Sequence, residues 1–176
     1  MSQVLRALPK APEILWLTPQ SVSEIFENVR DLGAATGKSI EATTLIQTCE
    51  ARLEALTATV AKASYRPRVF CMEWLDPVYA SGHWVPELVK FAGGVDELGS
   101  ERGESVRVSW KDIVEWAPEV LIMHAVWFQL AANDETDLER VQFTCFRLLQ
   151  ATRGSQWSRL CSGCQLILRA SRPESS

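Results

Sequence analysis

The sequence has little of several kinds of chemistry on which simple functional assignments rest. It contains two His and two Tyr in 176 residues, and its five Cys are an odd number at uneven spacing. Such cysteines do not predict a disulfide framework. No run of about 18 apolar residues occurs, so no transmembrane helix is expected. The net charge of −4 lacks the basic excess that nucleic-acid binding requires, and we expect no nucleic-acid partner.

Recognisable enzyme motifs are missing as well. The glycine-rich "FAGGVDELG" follows a helical pattern and lacks the Gly-Lys-Ser/Thr of a phosphate-binding loop. Cys161 and Cys164 have the spacing of a redox pair or half a zinc site, but no second pair accompanies them. His124 lies in an apolar run, and no nucleophile-elbow pattern occurs. We predict that the chain is not an enzyme and has no catalytic residue, cofactor or metal site.

Short apolar runs alternate with helical patterns over the first 126 residues. Apolar runs predict buried strands, and three- and four-residue steps between apolar side chains predict helices. The strands are expected at residues 13–17, 68–74 and 119–126. The helices are expected from 22 to either Gly33 or Gly37, and at 39–64, 84–91 and 109–117. This order indicates an α/β protein with a mostly parallel sheet.

The helix ends carry local signals of their own. Ser21 with Glu24, and Ser109 with Asp112, have the spacing of N-terminal caps. Gly33 or Gly37 can end the first helix. After residue 127 the periodicity is lost apart from one helical pattern around residues 134–150, and no further strand is predicted.

The stretch "EWLDPVYASGHWVPELVKFAGG" follows the second predicted strand and concentrates the aromatic and titratable side chains. Trp74, Tyr79 and Trp84 can form flat apolar walls for a large ligand. His83 can donate, accept or bind a metal, and Glu73 can hold a cation or an Arg of a partner. Ligands of open α/β sheets bind beyond the carboxyl ends of the strands, which is where this stretch begins.

A purely structural interpretation of the same stretch stays open. In that interpretation the Trp rings pack in the core, Asp76 forms a turn with Pro77, and His83 caps the following helix.

An extended resemblance covers residues 1 to about 123. The stretches "RPRVFCMEWLDPVYASGHWVPELVKFAGGVDELG" and "SVRVSWKDIVEWAPEVLIM" are similar to the second lobe of cobalamin-binding, periplasmic-binding-protein-like components of ABC transporters. The upstream "LRALPKAPEILWLTPQSVSEIFENVRDLGAATGK" resembles the end of the first lobe. In that family one long helix joins two α/β lobes, and the ligand lies in the cleft between them.

The resemblance implies a partial two-lobe fold with four regions. Residues 1–37 would be a remnant of the first lobe, 38–65 the connecting helix and 66–126 the α/β core of the second lobe. Residues 127–176 do not align, and we interpret them as a divergent tail that is frame-shifted or poorly ordered. Most of the first lobe would be missing, so we expect a truncated chain.

The resemblance also implies a function. The chain would be the component of an ABC transporter that captures cobalamin or another metal-tetrapyrrole ligand, with a permease as its partner, acting in the periplasm or at the cell surface. Glu73, Trp74, Tyr79, His83 and Trp84 would be the ligand-binding residues, with weak or no affinity because one wall of the cleft is absent. No apolar segment of signal-peptide length precedes Pro9, so the chain as written is expected in the cytoplasm.

Two alternatives come from other classes of protein. One is a small cytosolic α/β enzyme, a hydrolase or redox protein, that uses His83 or the pair Cys161 and Cys164. The other is an interaction fragment that binds no ligand.

Overall fold

The structure, a computed structural model, describes residues 14–123, 157–159 and 166–170. Its helices are α1 (Val22–Thr36), α2 (Ser39–Val60), α3 (Val85–Phe91) and α4 (Trp110–Trp116). Its strands are β1 (Val69–Leu75), β2 (Val78–Ala80), β3 (Gly82–His83), β4 (Ser100–Glu101), β5 (Val106–Arg107), β6 (Val120–Met123), β7 (Trp157–Arg159) and β8 (Leu166–Ala170).

The main sheet has six strands in the order β5-β2-β1-β6-β8-β7. The central pair, β1 with β6, is parallel, and the four other pairs are antiparallel. The predicted α/β class is confirmed. The sheet is mixed, whereas the sequence predicted a mostly parallel one, because the chain reverses at Asp76-Pro77 and places β2 antiparallel beside β1.

Strand β1 is buried on both faces and forms the centre of the fold. On one face Phe70 and Met72 pack with Ile113 of α4 in the larger apolar cluster. On the other face Val69 and Cys71 pack with Val89 of α3. A strand that is covered on both sides has no polar alternation, which is why residues 69–72 read as a continuous apolar run.

Helices α1 and α2 pack against each other as a hairpin, and the sequence predicted capping residues for α1 only. The Ser21 side chain accepts from the Glu24 amide, and Gly37, with φ of 70°, closes α1 in the left-handed conformation. Helix α2 ends at Val60, four residues earlier than predicted. The amide of Val22 at the start of α1 donates to Glu87 Oε2 of α3 at 2.8 Å, which ties the hairpin to the sheet domain.

The prediction of a buried strand at residues 13–17 is wrong for the described residues 14–17. They are extended but pair with no described strand, and Trp16 is 72% exposed. An apolar run indicates a tendency to be buried, but burial also requires a neighbouring surface, and the described part of the chain provides none here.

Strands β7 and β8 lie in the segment where the sequence predicted no strand. They pair with each other in antiparallel fashion, and β8 pairs with all four residues of β6, from Val120↔Arg169 to Met123↔Leu166. His124, Cys161 and Cys164 lie outside the described residues. None of the helices within residues 14–123 has both the length and the apolar character needed to cross a bilayer.

Helices α1 and α2 approach so closely at Gly33 that a side chain there has no room. A Cβ on Gly33 would lie 2.5 Å from the Cβ of Ala42. We predict that Gly33→Val lowers the free energy of unfolding by about 2 kcal/mol, since overpacked helices must move apart. Urea denaturation measures the change.

Gly37→Asn is the matched control for that substitution. Nothing lies within 4 Å of a Cβ on Gly37, and Asn tolerates the left-handed conformation. An equal loss of stability in both variants would contradict close helix packing as the cause.

Candidate functional site

An extra residue in β1 determines which way the predicted site residues face. Met72 pairs with Ala80 and Trp74 with Tyr79, so Glu73 is a β-bulge with no partner on β2. Before the bulge, Met72 faces the α4 cluster, and after it Leu75 packs against the same cluster. Trp74 therefore points to the opposite face of the sheet, where α3 lies. Bulges commonly redirect side chains in this way.

Trp74 and Tyr79 form a cross-strand pair on the α3 face. Residues that are directly opposite in an antiparallel ladder have Cβ atoms roughly 5 Å apart, so the two rings are neighbours. Both side chains are half-buried, and Trp74 Nε1 donates to the carbonyl of Asp76 at 2.9 Å. The indole is therefore held at the carboxyl end of β1 with one side accessible.

His83 and Trp84 form the second aromatic pair and lie directly before α3. Their ring centroids are 5.8 Å apart, with planes tilted by 49°. His83 has φ of 58°, a conformation that non-glycine residues rarely adopt. Two backbone hydrogen bonds hold it there: its amide donates to Gly103, at 2.6 Å, and its carbonyl accepts from the Arg102 amide, at 3.0 Å. Strained backbone of this kind clusters at functional sites.

The start of β3 is packed tightly against the loop that supports His83. A Cβ on Gly82 would lie 2.5 Å from backbone atoms of Gly103, Glu104 and Ser105, so only glycine fits. The buried hydroxyl of Ser81 donates to the carbonyl of Cys71 at 3.0 Å and fixes this turn to β1. The position of the His83–Trp84 pair thus follows from β1.

Glu73 does not face solvent as a free carboxylate, because its Oε2 accepts the hydroxyl hydrogen bond of Ser105. This bond joins the bulge of β1 to the residue before β5. Of the sequence-predicted site residues, the structure therefore places Trp74 beside Tyr79 and His83 beside Trp84, and it gives Glu73 a bonding role at the edge of the sheet.

The structural interpretation of this stretch is only partly met. Asp76 and Pro77 do form the turn between β1 and β2. However, Trp74 and Trp84 are half-buried and belong to neither core cluster. The N-cap of α3 is Trp84, with no side-chain hydrogen bond, so His83 does not cap the helix.

Asp96 is a buried carboxylate on the α3 face that sequence analysis did not single out. Its Oδ1 accepts from the amides of Leu98 and Gly99, at 3.1 and 2.9 Å, which shapes the loop leading to β4. Its Oδ2 is buried, and the carboxylate also interacts with the backbone amide of Cys71 on β1. Burial raises the pKa of Asp96 above its usual value.

The thiol of Cys71 is held in its protonated form for a related reason. Burial raises the pKa of its thiol to about 12, and the neighbouring Asp96 charge adds to the rise. Within residues 14–123 and the strands β7 and β8, no group of three His, Cys, Asp or Glu side chains could hold a metal ion.

Two open cavities of about 520 and 530 Å³ lie elsewhere on the described surface. The first is at the tip of the β1–β2 hairpin, beside the start of α4, and Arg107 and Trp110 are among its lining residues. The second is a shallow groove along α2 between Thr44 and Ala55. None of the five predicted site residues lines either of these two cavities.

The family to which the chain belongs is identified by its sequence. The profile of the periplasmic binding protein family matches residues 7–144, most of the chain. The chain therefore belongs to the periplasmic binding protein family, as the resemblance implied. Comparison with curated proteins finds no match.

Solved structures of the same architecture agree with this assignment. The chain is similar to an ABC transporter substrate-binding protein from Listeria monocytogenes EGD-e, with a TM-score of 0.62, 17% identity, and coverage of 80% of this chain and 54% of that one. It is also similar to S. aureus IsdE complexed with heme, with a TM-score of 0.56, 13% identity, and coverage of 76% of this chain and 57% of that one. Similarity to the periplasmic vitamin B12 binding protein BtuF of Vibrio cholerae has a TM-score of 0.50 and 18% identity, with coverage of 78% of this chain and 64% of that one.

These likenesses show a partial periplasmic-binding-protein fold. The chain spans between 54% and 64% of the length of these three structures.

The carboxylate of Asp96 should make the stability of the fold depend on pH. Because its pKa is raised, the folded state holds the proton more strongly than the unfolded state does. The free energy of unfolding should therefore fall as pH rises above about 3.9, the unfolded value, toward the raised folded value. In Asp96→Asn this component of the pH dependence should be absent, while the Oδ1 acceptor for the loop is kept. Urea denaturation between pH 4 and 8 measures it.

The exposed neighbour Glu97 supplies the control. Glu97→Gln should keep the wild-type pH profile. If Asp96→Asn showed the wild-type dependence of stability on pH, a raised pKa of the Asp96 carboxylate would be contradicted.

Proposed function

We propose that this chain is the ligand-capturing part of an ABC transporter substrate-binding protein, and that its ligand is cobalamin or a related corrinoid. Membership of the periplasmic binding protein family supports the general role. The structural observation that supports the ligand class is the Trp74–Tyr79 pair where β1 ends, together with the His83–Trp84 pair directly before α3, and we propose that the four side chains form one aromatic surface on the α3 face.

A corrinoid suits this surface because of its shape. It is a broad, flat and partly apolar ring, and half-buried aromatic side chains offer flat apolar contacts with polar edges. Two of the similar structures are described as binding heme and vitamin B12, both of which are metal complexes of large rings. The likeness to these proteins supports a ring ligand, and we choose the corrinoid because the resemblance of residues 66–123 is to cobalamin-binding members.

Capture and delivery require no bond to be made or broken. The partner would be an ABC permease, and the site of action the periplasm or cell surface. The raised pKa of Cys71 keeps its thiol protonated at neutral pH, which speaks against thiolate chemistry next to the site.

The described residues provide one wall of a cleft. We propose that α1 belongs to a first lobe and that α2 is the connecting helix. The aromatic surface is open to solvent on its outer side, and a single wall buries far less of a ligand than two facing walls do. We therefore propose that the described wall by itself has weak affinity for a corrinoid.

We predict that cyanocobalamin binds this chain with a dissociation constant above roughly 1 µM, equivalent to less than about 8 kcal/mol of binding free energy. Absorbance and calorimetric titration measure it. Tyr79→Ala should weaken binding about three- to tenfold, because it removes half of the Trp74–Tyr79 pair.

Tyr65, the other tyrosine of the chain, provides the matched control. It bonds Glu119 near the amino end of β1, away from the aromatic surface, so Tyr65→Ala should leave affinity unchanged. A submicromolar constant would contradict the single-wall account. Absence of any spectral change up to millimolar cyanocobalamin would contradict the corrinoid function and favour a fragment that binds no ligand.

A further inference from the structure

A cationic side chain continues the aromatic surface across the sheet. Tyr79 pairs with Trp74 on β1 and, on its other side, with Arg107 on β5. Directly opposed residues of antiparallel strands share a face, so Trp74, Tyr79 and Arg107 form one row on the α3 face. The row consists of two rings followed by a guanidinium group at the edge of the sheet.

Two hydrogen bonds hold Arg107 in this row although β5 has only two residues. The Ser105 hydroxyl donates to Glu73 at the bulge of β1, and the Val108 amide donates to the carbonyl of Val78 at 3.0 Å. These bonds flank Arg107 on both sides. Glu73 thus acts as a positioning residue, because its carboxylate ties the start of β5 to the strand that carries Trp74.

The charge of Arg107 is not used by the fold. The residue is exposed, and the ion pairs among residues 14–123 do not include it. Two carboxylates line the hairpin-tip cavity together with it, those of Asp76 and Asp112. Asp112 accepts hydrogen bonds from the amide and hydroxyl of Ser109. Its carboxylate is therefore already engaged in the cap at the start of α4.

We propose that Arg107 is a ligand-binding residue that recognises a phosphate group on the edge of the ring ligand. This rests on the proposed function, since a ring stacked at Trp74 and Tyr79 would place its edge substituents along the row toward β5. A guanidinium group binds phosphate through two parallel hydrogen bonds, so it selects for an acidic substituent as well as orienting the ring.

The test compares two corrinoids that differ by one phosphate. Cobinamide and cobinamide phosphate are titrated into the full chain by absorbance at low and at high salt. We expect the phosphate form to bind about fivefold more tightly at low salt, as for a solvent-accessible ion pair, with the preference reduced at high salt. Arg107→Gln should remove the preference and Arg107→Lys should restore part of it.

Arg66→Gln is the matched control. Arg66 is equally exposed but precedes β1 at its amino end, remote from the row, so the preference should remain. Thermal unfolding of each variant verifies that the fold is intact.

The possible failures can be told apart. If both corrinoids bind the wild type equally, or if Arg107→Gln keeps the preference, the role of Arg107 is overturned while the corrinoid function stands. If neither corrinoid perturbs the spectrum, the proposed function is overturned and the role of Arg107 with it.

Discussion

The bulge at Glu73 determines how the rest of the candidate site is arranged. With regular alternation Trp74 would face the α4 cluster together with Phe70 and Met72, and the α3 face would carry no ring at the end of β1. The extra residue moves Trp74 to the α3 face, opposite Tyr79. Its carboxylate, bonded to Ser105, also holds β5 in place. Glu73 loses its pairing with β2, and as a result the side chains of Trp74 and Tyr79 lie opposite each other on the same face.

The helices and the two central strands could be predicted from local signals. Caps at Ser21 and Ser109 act within one turn, and the continuous apolar run of β1 reflects burial on both faces. The bulge, the β1–β2 hairpin and the β7–β8 pair depend on which strands meet, which a single sequence does not display. Residues 14–17 show the converse: their apolar run predicted burial, but burial requires a surface to pack against.

The site could be predicted in composition but not in arrangement. The sequence indicated that residues 73–84 gather aromatic side chains after a strand, and the structure arranges four of them in two pairs, Trp74 with Tyr79 and His83 with Trp84. The sequence did not indicate roles for Arg107 and Asp96, because each role depends on a neighbour that is distant in sequence: Tyr79 for Arg107 and Cys71 for Asp96. The fold is that of a binding protein, while the ligand is argued from the shape and charge of one surface.

The central claim is that the α3 face at the end of β1 is the wall that contacts a corrinoid. Its most direct test is nitrogen-15 chemical-shift mapping of the chain during titration with cyanocobalamin. The account predicts that shifts concentrate in residues 73–84 and at Arg107, including the indole N–H groups of Trp74 and Trp84. Shifts confined to the groove of α2 between Thr44 and Ala55, or none at residues 73–84, would contradict it.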